Sequence, residues 1–120
     1  MRRSEITDEL IRLSKLAKEL GFPQDMDKGD WYLGGDKKTL ELIETTGYFL
    51  IGSTLILSFS RCLEWLREQG CYTWLVGFTE KDTKPLFVHV YRGNEIIEGE
   101  GKSIEECGAK AVVKILEGKE

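Results

Sequence analysis

The stretch that decides the fold is residues 86–106, which read LFVHVYRGNEIIEGEGKSIEE. It opens with apolar and β-branched residues over 86–91, a composition typical of a strand. Gly93-Asn94 follows, and both residues tolerate the positive φ of a two-residue hairpin turn. Residues 95–100 are therefore predicted to pair antiparallel to the strand before them.

The same stretch ends with the start of a helix. Ser103 and Glu106 have the spacing of a capping box, in which each side chain binds the other residue's free backbone N–H. An apolar stripe continues as far as Leu116, so a helix is predicted over 103–117. Gly108 costs this helix roughly 1 kcal/mol against alanine, which indicates close approach by a neighbouring strand or helix.

A second helix and a further strand precede this stretch. Ser58 or Ser60 can cap a helix that Gly70 ends. Residues 72–79 alternate aromatic and smaller side chains in the manner of a strand. The C-terminal part of the chain, residues 58–118, is thus predicted to form an α-β-β-β-α unit.

The N-terminal half carries weaker signals. Residues 1–22 are predicted to hold an amphipathic helix, because apolar side chains recur at three- and four-residue steps from Ile6 to Leu20. Two short apolar runs flank Gly34-Gly35-Asp36-Lys37, which predicts a β-hairpin. Residues 48–57 are apolar and β-rich, and they fit either a core strand or an irregular cover over the core.

These elements predict one α+β domain over residues 1–120, in which the N-terminal helix and the short hairpin are added to the antiparallel sheet of the C-terminal unit. The middle strand of that sheet is apolar on both faces, since Val88 and Val90 alternate with Phe87 and Tyr91. Helices are therefore expected on both faces of the sheet. The N-terminal helix or a second subunit would cover the face that the other helices leave open.

Composition and charge restrict the class of function. The chain is 41% hydrophobic with a formal net charge of −4, so nucleic-acid binding would need a local basic patch. Three cysteines without a CxxC pair favour reduced thiols in a cytoplasm. The longest apolar run falls short of the ~20 residues of a membrane span. We therefore expect a cytoplasmic protein without membrane association, and the sequence leaves monomer and homodimer open.

No catalytic constellation, cofactor site or metal site is predicted. His89 is the only histidine, and with Cys71 or Cys107 it could form a catalytic dyad or part of a zinc site. A histidine between Val88 and Val90, with no second histidine in the chain, is more often a packed strand residue. Buried thiols likewise behave as small hydrophobic groups.

The candidate interaction surface is aromatic. It consists of Trp31, Tyr32, Trp74, Tyr91 and Arg92. Rings of this kind can stack nucleic-acid bases in single-strand binders. Core packing accounts for most aromatic side chains in a domain of this size, so the platform stands beside a purely structural alternative.

The order helix, three antiparallel strands, helix, with the turn Gly101-Lys102-Ser103, resembles the double-stranded-RNA-binding domain. That family carries a lysine cluster at the start of its last helix and a histidine in the loop between its first two strands. Here the helix begins Ile104-Glu105-Glu106, and residues 80–85 hold no histidine. Carboxylates at that helix start would repel RNA phosphates. The resemblance implies a degenerate nucleic-acid-binding module as the alternative function, and specific nucleic-acid binding is not expected.

A second resemblance covers more of the chain, roughly residues 20–118. Gly29-Asp30-Trp31, the leucine-containing helix that ends at Gly70 and the alanine-containing last helix resemble the phage and prophage α-β-α sandwich domain family. The resemblance implies the fold, and together with the lack of a catalytic constellation it leads us to expect a small non-enzymatic accessory protein that acts through contacts with an unknown protein partner.

Overall fold

The computed structural model describes residues 1–35, 39–43, 52–71, 73–78 and 86–118, and at 73–75 and 78 it describes the backbone alone. The predicted loop at 80–85 and residues 48–51 lie outside this part of the chain. The elements in chain order are α1 (Asp8–Glu19), β1 (Trp31–Leu33), β2 (Leu40–Leu42), β3 (Thr54–Ile56), α2 (Phe59–Glu68), β4 (Thr73–Phe78), β5 (Leu86–Arg92), β6 (Glu95–Gly101) and α3 (Ile104–Gly118). The predicted α+β class is confirmed.

The strands form two antiparallel sheets. The first sheet has the order β2-β1-β3 and the second sheet has the order β4-β5-β6. In the second sheet the hairpin predicted at Gly93-Asn94 is confirmed, because Arg92 pairs with Glu95 across the turn and Gly93 has a φ of 62°. The α-β-β-β-α unit is therefore present in the order that its turn residues predict.

Two glycines of β6 allow α3 to lie directly on the second sheet. A Cβ added at Gly99 would come within 2.1 Å of the Cys107 carbonyl oxygen, and one added at Gly101 within 2.6 Å of the Glu106 Cβ. The backbones of strand and helix thus touch where any larger residue would hold them apart. This contact fixes which face of the sheet α3 covers, and that face also buries Val88 and Val90.

Helix α2 packs against α3 rather than beside it on the sheet. Ser58 is its N-cap and accepts a hydrogen bond from the Arg61 N–H, which selects between the two predicted caps. Gly108 meets α2 closely, since a Cβ there would lie 3.0 Å from a ring carbon of Phe59 and 3.2 Å from the Cβ of Cys62. The predicted close approach at Gly108 is confirmed, and the neighbour is a helix.

The first sheet contains the predicted hairpin and one strand more. Leu33 pairs with Leu40 across the predicted turn, and on the other side of β1 it pairs with Thr54 of β3. Residues 54–56 of the ambiguous apolar segment are therefore a core strand, buried along its whole length. The sequence did not predict that they would complete a separate sheet with the hairpin.

Helix α1 lies against α3 and β3, which corrects the expectation for the open sheet face. Its buried residues Leu10, Leu13 and Ala17 fill the space beside the last helix instead of covering the far side of β4, β5 and β6. The helical contacts of the second sheet come from α3, which packs on β5 and β6. The predicted second helical layer is thus not formed by α1.

The starts of α1 and α3 are joined through Glu106. The Thr7 hydroxyl caps α1 by accepting from the Leu10 N–H, and it donates to Glu106 Oε2 at 2.7 Å. The Glu106 N–H donates to Ser103 Oγ, as the capping box requires. The return bond is shifted by one residue, because Glu106 Oε1 accepts from the Lys102 N–H at 3.4 Å. Glu106 is consequently buried between two helix starts.

Candidate functional site

The candidate site is the face of the second sheet opposite α3, which we call the outer face. Side chains alternate along each strand, so the burial of Val88, Val90 and Ile97 against α3 directs the intervening residues outward. Direct register partners share a face and extend this assignment from β5 to β6. The outer face therefore carries Phe87, His89, Tyr91, Ile96, Glu98 and Glu100.

Exposure distinguishes the two faces at β5 and β6, whereas Val76 of β4, which lies on the same face as its register partner Val88, is 44% exposed. Val88 and Val90 are fully buried, whereas Ile96 is 58% exposed and the Glu98 side chain is 43% exposed. Phe87, His89 and Tyr91 are half-buried. Ile96 is the most exposed of the large hydrophobic side chains in the described part of the chain, and it contributes little to the core.

His89 and Glu98 form a cross-strand pair at the centre of the outer face. They are register partners, and His89 Nε2 lies 2.6 Å from Glu98 Oε2. A hydrogen bond with Glu100, followed by the one with His89, lowers the pKa of Glu98 below its ordinary range. Glu98 is therefore a carboxylate at neutral pH, and two acidic side chains lie side by side on β6.

The Phe87 ring extends over a glycine of the neighbouring strand. Its register partner in β4 is Gly77, and a Cβ at that position would lie 2.5 Å from the ring's Cζ. The Phe87 ring also contacts the His89 ring, with centroids 4.8 Å apart and planes tilted by 45°. Phe87, His89 and Tyr91 thus form a row of three rings along β5, bordered on one side by Glu98 and Glu100.

The predicted aromatic platform is divided between the two sheets. Trp31 and Tyr32 lie in β1 of the first sheet, whereas Tyr91 and Arg92 lie in β5 of the second. Trp74 is in β4, where its register partner is Val90, and its side chain lies outside the described part of the chain. Of the five residues, the structure places Tyr91 on the outer face.

The other predicted interaction residues have identified contacts. Trp31 Nε1 donates to the Met1 carbonyl oxygen at 2.9 Å, and the Tyr32 hydroxyl is hydrogen-bonded to Glu41. Arg92 forms an ion pair with Glu95 across the hairpin turn at 3.3 Å. Trp31 and Tyr32 also pack against the core, so they hold the first sheet in place.

The three thiols are buried and do not have the character of nucleophiles. Burial raises the pKa of Cys62 and Cys71 and raises that of Cys107 to about 11, with Glu106 adding to the effect at Cys107. They remain protonated at neutral pH. His89 is paired with Glu98, which is the contact that the alternative of a histidine–thiol dyad would have to replace.

Arg61 organises the acidic residues between α1 and β1. Its guanidinium lies 2.6 Å from the carboxylate of Asp30 and 3.7 Å from that of Asp27, and it donates to the Asp25 carbonyl oxygen. These contacts join the loop between α1 and β1 to α2. Within the described ranges, histidine, cysteine and carboxylate side chains form no group of three that could hold a metal ion.

A cavity of about 350 Å³ lies between the starts of α1 and α3. Its charged lining includes Asp8 and Glu9 from α1 together with Lys102 and Lys110. Glu100 and Glu106 line it as well, so carboxylates outnumber lysines four to two and the lining does not favour an anion. The outer face, where both carboxylates lie beside a row of rings, has the more selective chemistry.

Comparisons with protein-family models, curated proteins and solved structures found no match to this chain. Across the described residues, no helix has the length and apolar character needed to cross a membrane.

Sequence reasoning missed Gly77, Glu98 and Glu100 as members of a site. The hairpin supplies a usable signal, because the fourth residue before Gly93 and the fourth residue after Asn94 are His89 and Glu98, which pair across the two strands. Gly77 has no comparable signal in the sequence, since its role depends on the register between β4 and β5.

Proposed function

We propose that this protein is a small non-enzymatic accessory protein, of phage or prophage type, that acts by binding a protein partner on the outer face of its second sheet. One observation carries the proposal: a row of aromatic side chains and a 58% exposed Ile96 lie on a face that α3 leaves uncovered. Exposed apolar patches with polar neighbours commonly mark protein-binding surfaces. The phage or prophage type rests on the sequence resemblance alone.

The thiol chemistry supports a binding role over catalysis. A nucleophilic cysteine needs a lowered pKa and access to solvent. Cys62 and Cys107 have raised pKa values and are buried among α2 and α3. The outer face itself presents carboxylates and rings, which are groups that recognise a surface.

The charges support a protein partner over nucleic acid. Glu98 and Glu100 lie on the outer face of a chain whose net charge is −4, so phosphate groups would be repelled there. The start of α3, which binds RNA in the family that the topology resembles, is held against α1 through Thr7 and Glu106. This packing supports the expectation that duplex RNA is not bound specifically.

The experiment compares two exposed aliphatic strand residues. A photo-reactive amino acid is placed at Ile96 on the outer face or at Leu42 in β2, which is 44% exposed and serves as the matched control. Each protein is irradiated in cells that contain the native partner, and cross-linked products are identified by mass spectrometry. The identified partner is then purified and its affinity is measured for the wild type, Ile96→Lys and Leu42→Lys.

We expect a product at position 96 that is absent at position 42. Ile96→Lys should weaken binding of the purified partner at least about tenfold, because a charge would replace an apolar contact, whereas Leu42→Lys should not. Equal cross-linking at both positions, or a partner unaffected by Ile96→Lys, would refute the proposed face. Cross-links to RNA at position 96 would favour the nucleic-acid alternative instead.

A further inference from the structure

We propose that Lys114 closes the free edge of β6 and thereby prevents this strand from pairing with β6 of a second copy of the chain. Among the described strands, β6 stands at one end of the order β4-β5-β6, so one of its sides has no neighbouring strand. Backbone groups at such an edge are a template for pairing with another chain. The proposal does not depend on the partner that binds the outer face.

The backbone of Glu98 faces this free edge. Arg92 and Glu95 close the two-residue turn as a hydrogen-bonded pair, and such pairs alternate with non-hydrogen-bonded pairs along an antiparallel ladder. The pair of His89 and Glu98 is therefore a non-hydrogen-bonded one. The N–H and C=O of Glu98 consequently point away from β5, and those of Ile96, two residues earlier, do the same.

The edge is open to solvent. Ile96 is 58% exposed, and the side chain of Glu98 is 43% exposed. A strand of another molecule could therefore approach β6 from this side.

Lys114 reaches the edge from α3. Its ammonium group donates a hydrogen bond to the backbone carbonyl oxygen of Glu98. The close contact of helix and strand makes this reach possible, because a Cβ added at Gly99 would lie 3.1 Å from the backbone nitrogen of Ala111. Lys114 follows Ala111 by three residues and so lies on the same side of α3, one turn further on. Lysine is a residue that commonly protects sheet edges in this way.

A symmetric pairing of two β6 strands shows what this contact prevents. In the register centred on Ile97, Ile96 of each copy lies opposite Glu98 of the other, and these two residues would exchange backbone hydrogen bonds. No carboxylate then lies directly opposite another. The Glu98 carbonyl oxygen that this pairing needs is the one that accepts from Lys114. The two Lys114 ammonium groups would also meet at the junction, where they repel each other.

Self-association of the full chain tests the inference. Sedimentation velocity over a series of concentrations is measured for the wild type, Lys114→Ala and Lys114→Gln, which keeps a shorter, neutral side chain. Two variants are the matched controls: Lys114→Arg keeps the charge and the donor, and Glu117→Ala removes another exposed side chain of α3. Thermal unfolding followed by circular dichroism establishes that each variant is folded.

We expect Lys114→Ala and Lys114→Gln to raise the self-association constant at least about tenfold over the wild type, because the Glu98 carbonyl becomes available to a second strand. The two controls should match the wild type. Adding Ile96→Pro to Lys114→Ala should restore the wild-type value, since proline removes an outward N–H that the pairing needs and is tolerated on an edge strand. Adding Ile96→Ala instead should leave the increase in place, because the N–H remains.

Three results would overturn the inference. The first is a self-association constant in both Lys114→Ala and Lys114→Gln that equals the wild-type value. The others are an increase that Glu117→Ala shares and an increase that survives Ile96→Pro, because the contact would then lie elsewhere on the chain. The affinity of the purified partner for Ile96→Lys tests the proposed function separately, so either proposal can fail without the other.

Discussion

The two sheets of this protein have the same number of strands and are stabilised in opposite ways. The strands of the first sheet are three residues long, and β3 is buried throughout. It relies on side chains from elsewhere, because the Leu55 N–H donates to Gln24 Oε1 and the Leu57 N–H donates to Ser14 Oγ. The strands of the second sheet are six or seven residues long. They pair with one another along their whole described length, so their backbone hydrogen bonds are made within the sheet.

This difference separates a sheet that is tied into the core from the sheet whose outer face we propose as a binding surface. A sheet of short strands offers few ladder hydrogen bonds and must be completed by the loops and helices around it. A longer sheet is held by its own ladder and by one helix, so its other face can carry side chains chosen for recognition. The outer face of the second sheet is therefore where substitutions should alter binding without unfolding the protein.

The largest expected effect comes from truncating the buried strand of the first sheet. Leu55→Ala removes a fully buried side chain and should lower the free energy of unfolding by about 4 kcal/mol. Ile96→Ala on the outer face should change it by less than about 0.5 kcal/mol. Urea denaturation followed by tryptophan fluorescence measures both. Similar losses for the two variants would show that the outer face belongs to the core.

The next effect tests the backbone contact that positions α3. Gly99→Ala forces a Cβ towards the Cys107 carbonyl oxygen and should cost about 3 kcal/mol, since neither backbone can yield freely. Gly35→Ala is the control in the first sheet region, where the nearest atom to an added Cβ is 3.9 Å away. We expect the free energy of unfolding of Gly35→Ala to stay within about 1 kcal/mol of the wild-type value. A tolerated Gly99→Ala would contradict the direct packing of α3 on β6.

A smaller effect tests the dependence of the first sheet on outside partners. Ser14→Ala leaves the buried Leu57 N–H without its acceptor and should cost about 2 kcal/mol. Ser60→Ala, at an exposed position of α2, should cost less than about 0.5 kcal/mol. Thermal unfolding by circular dichroism distinguishes them. If the two variants are equally stable, the hydrogen bond to the Ser14 hydroxyl does not contribute to the stability of the first sheet.

The smallest effect is the contribution of Glu98, in the second sheet, to the stability of the protein as the pH is lowered. The pKa of Glu98 is lowered below its ordinary value of 4.5, so its contacts add stability above that pH and lose it as the pH falls through the folded-state pKa. Unfolding midpoints of the wild type and Glu98→Gln are compared from pH 7 to pH 3. The difference between them should shrink as the pH falls below the ordinary pKa of Glu98, because protonation removes the charge that its contacts stabilise. A difference that persists unchanged at pH 3 would show that the ionised carboxylate is not stabilised by its neighbours.

The parts of the fold that sequence predicts are those with local chemistry. The turn at Gly93-Asn94 and the Ser103 cap act within four residues, so the hairpin and the start of α3 could be read from the chain alone. The pairing of β1 with β3 joins segments more than twenty residues apart through strands of three residues. Hydrophobic periodicity carries too little information at that length to predict a partner.

The candidate site was harder to predict because its residues acquire their roles from pairing. The aromatic platform was chosen by residue type, and Trp31 and Tyr32 belong to the first sheet. Glu105 and Glu106 looked like an exposed acidic turn, whereas both are buried, Glu106 at the place where α1 docks. That docking includes the hydrogen bond between Thr7 and Glu106, which are 99 positions apart in the sequence, so no local pattern predicts it.

The bond between Thr7 and Glu106 also bears on how the chain is made. A ribosome releases about 5–20 residues per second, so α1 leaves it roughly 5–20 s before its partner on α3 exists. During that interval Leu10, Leu13 and Ala17 lack the surface of α3, and β3 is the partner of α1 that emerges first. A nascent chain stalled before residue 106 should therefore be the species that chaperones recognise, and the newly synthesised protein should become resistant to proteases once α3 has emerged.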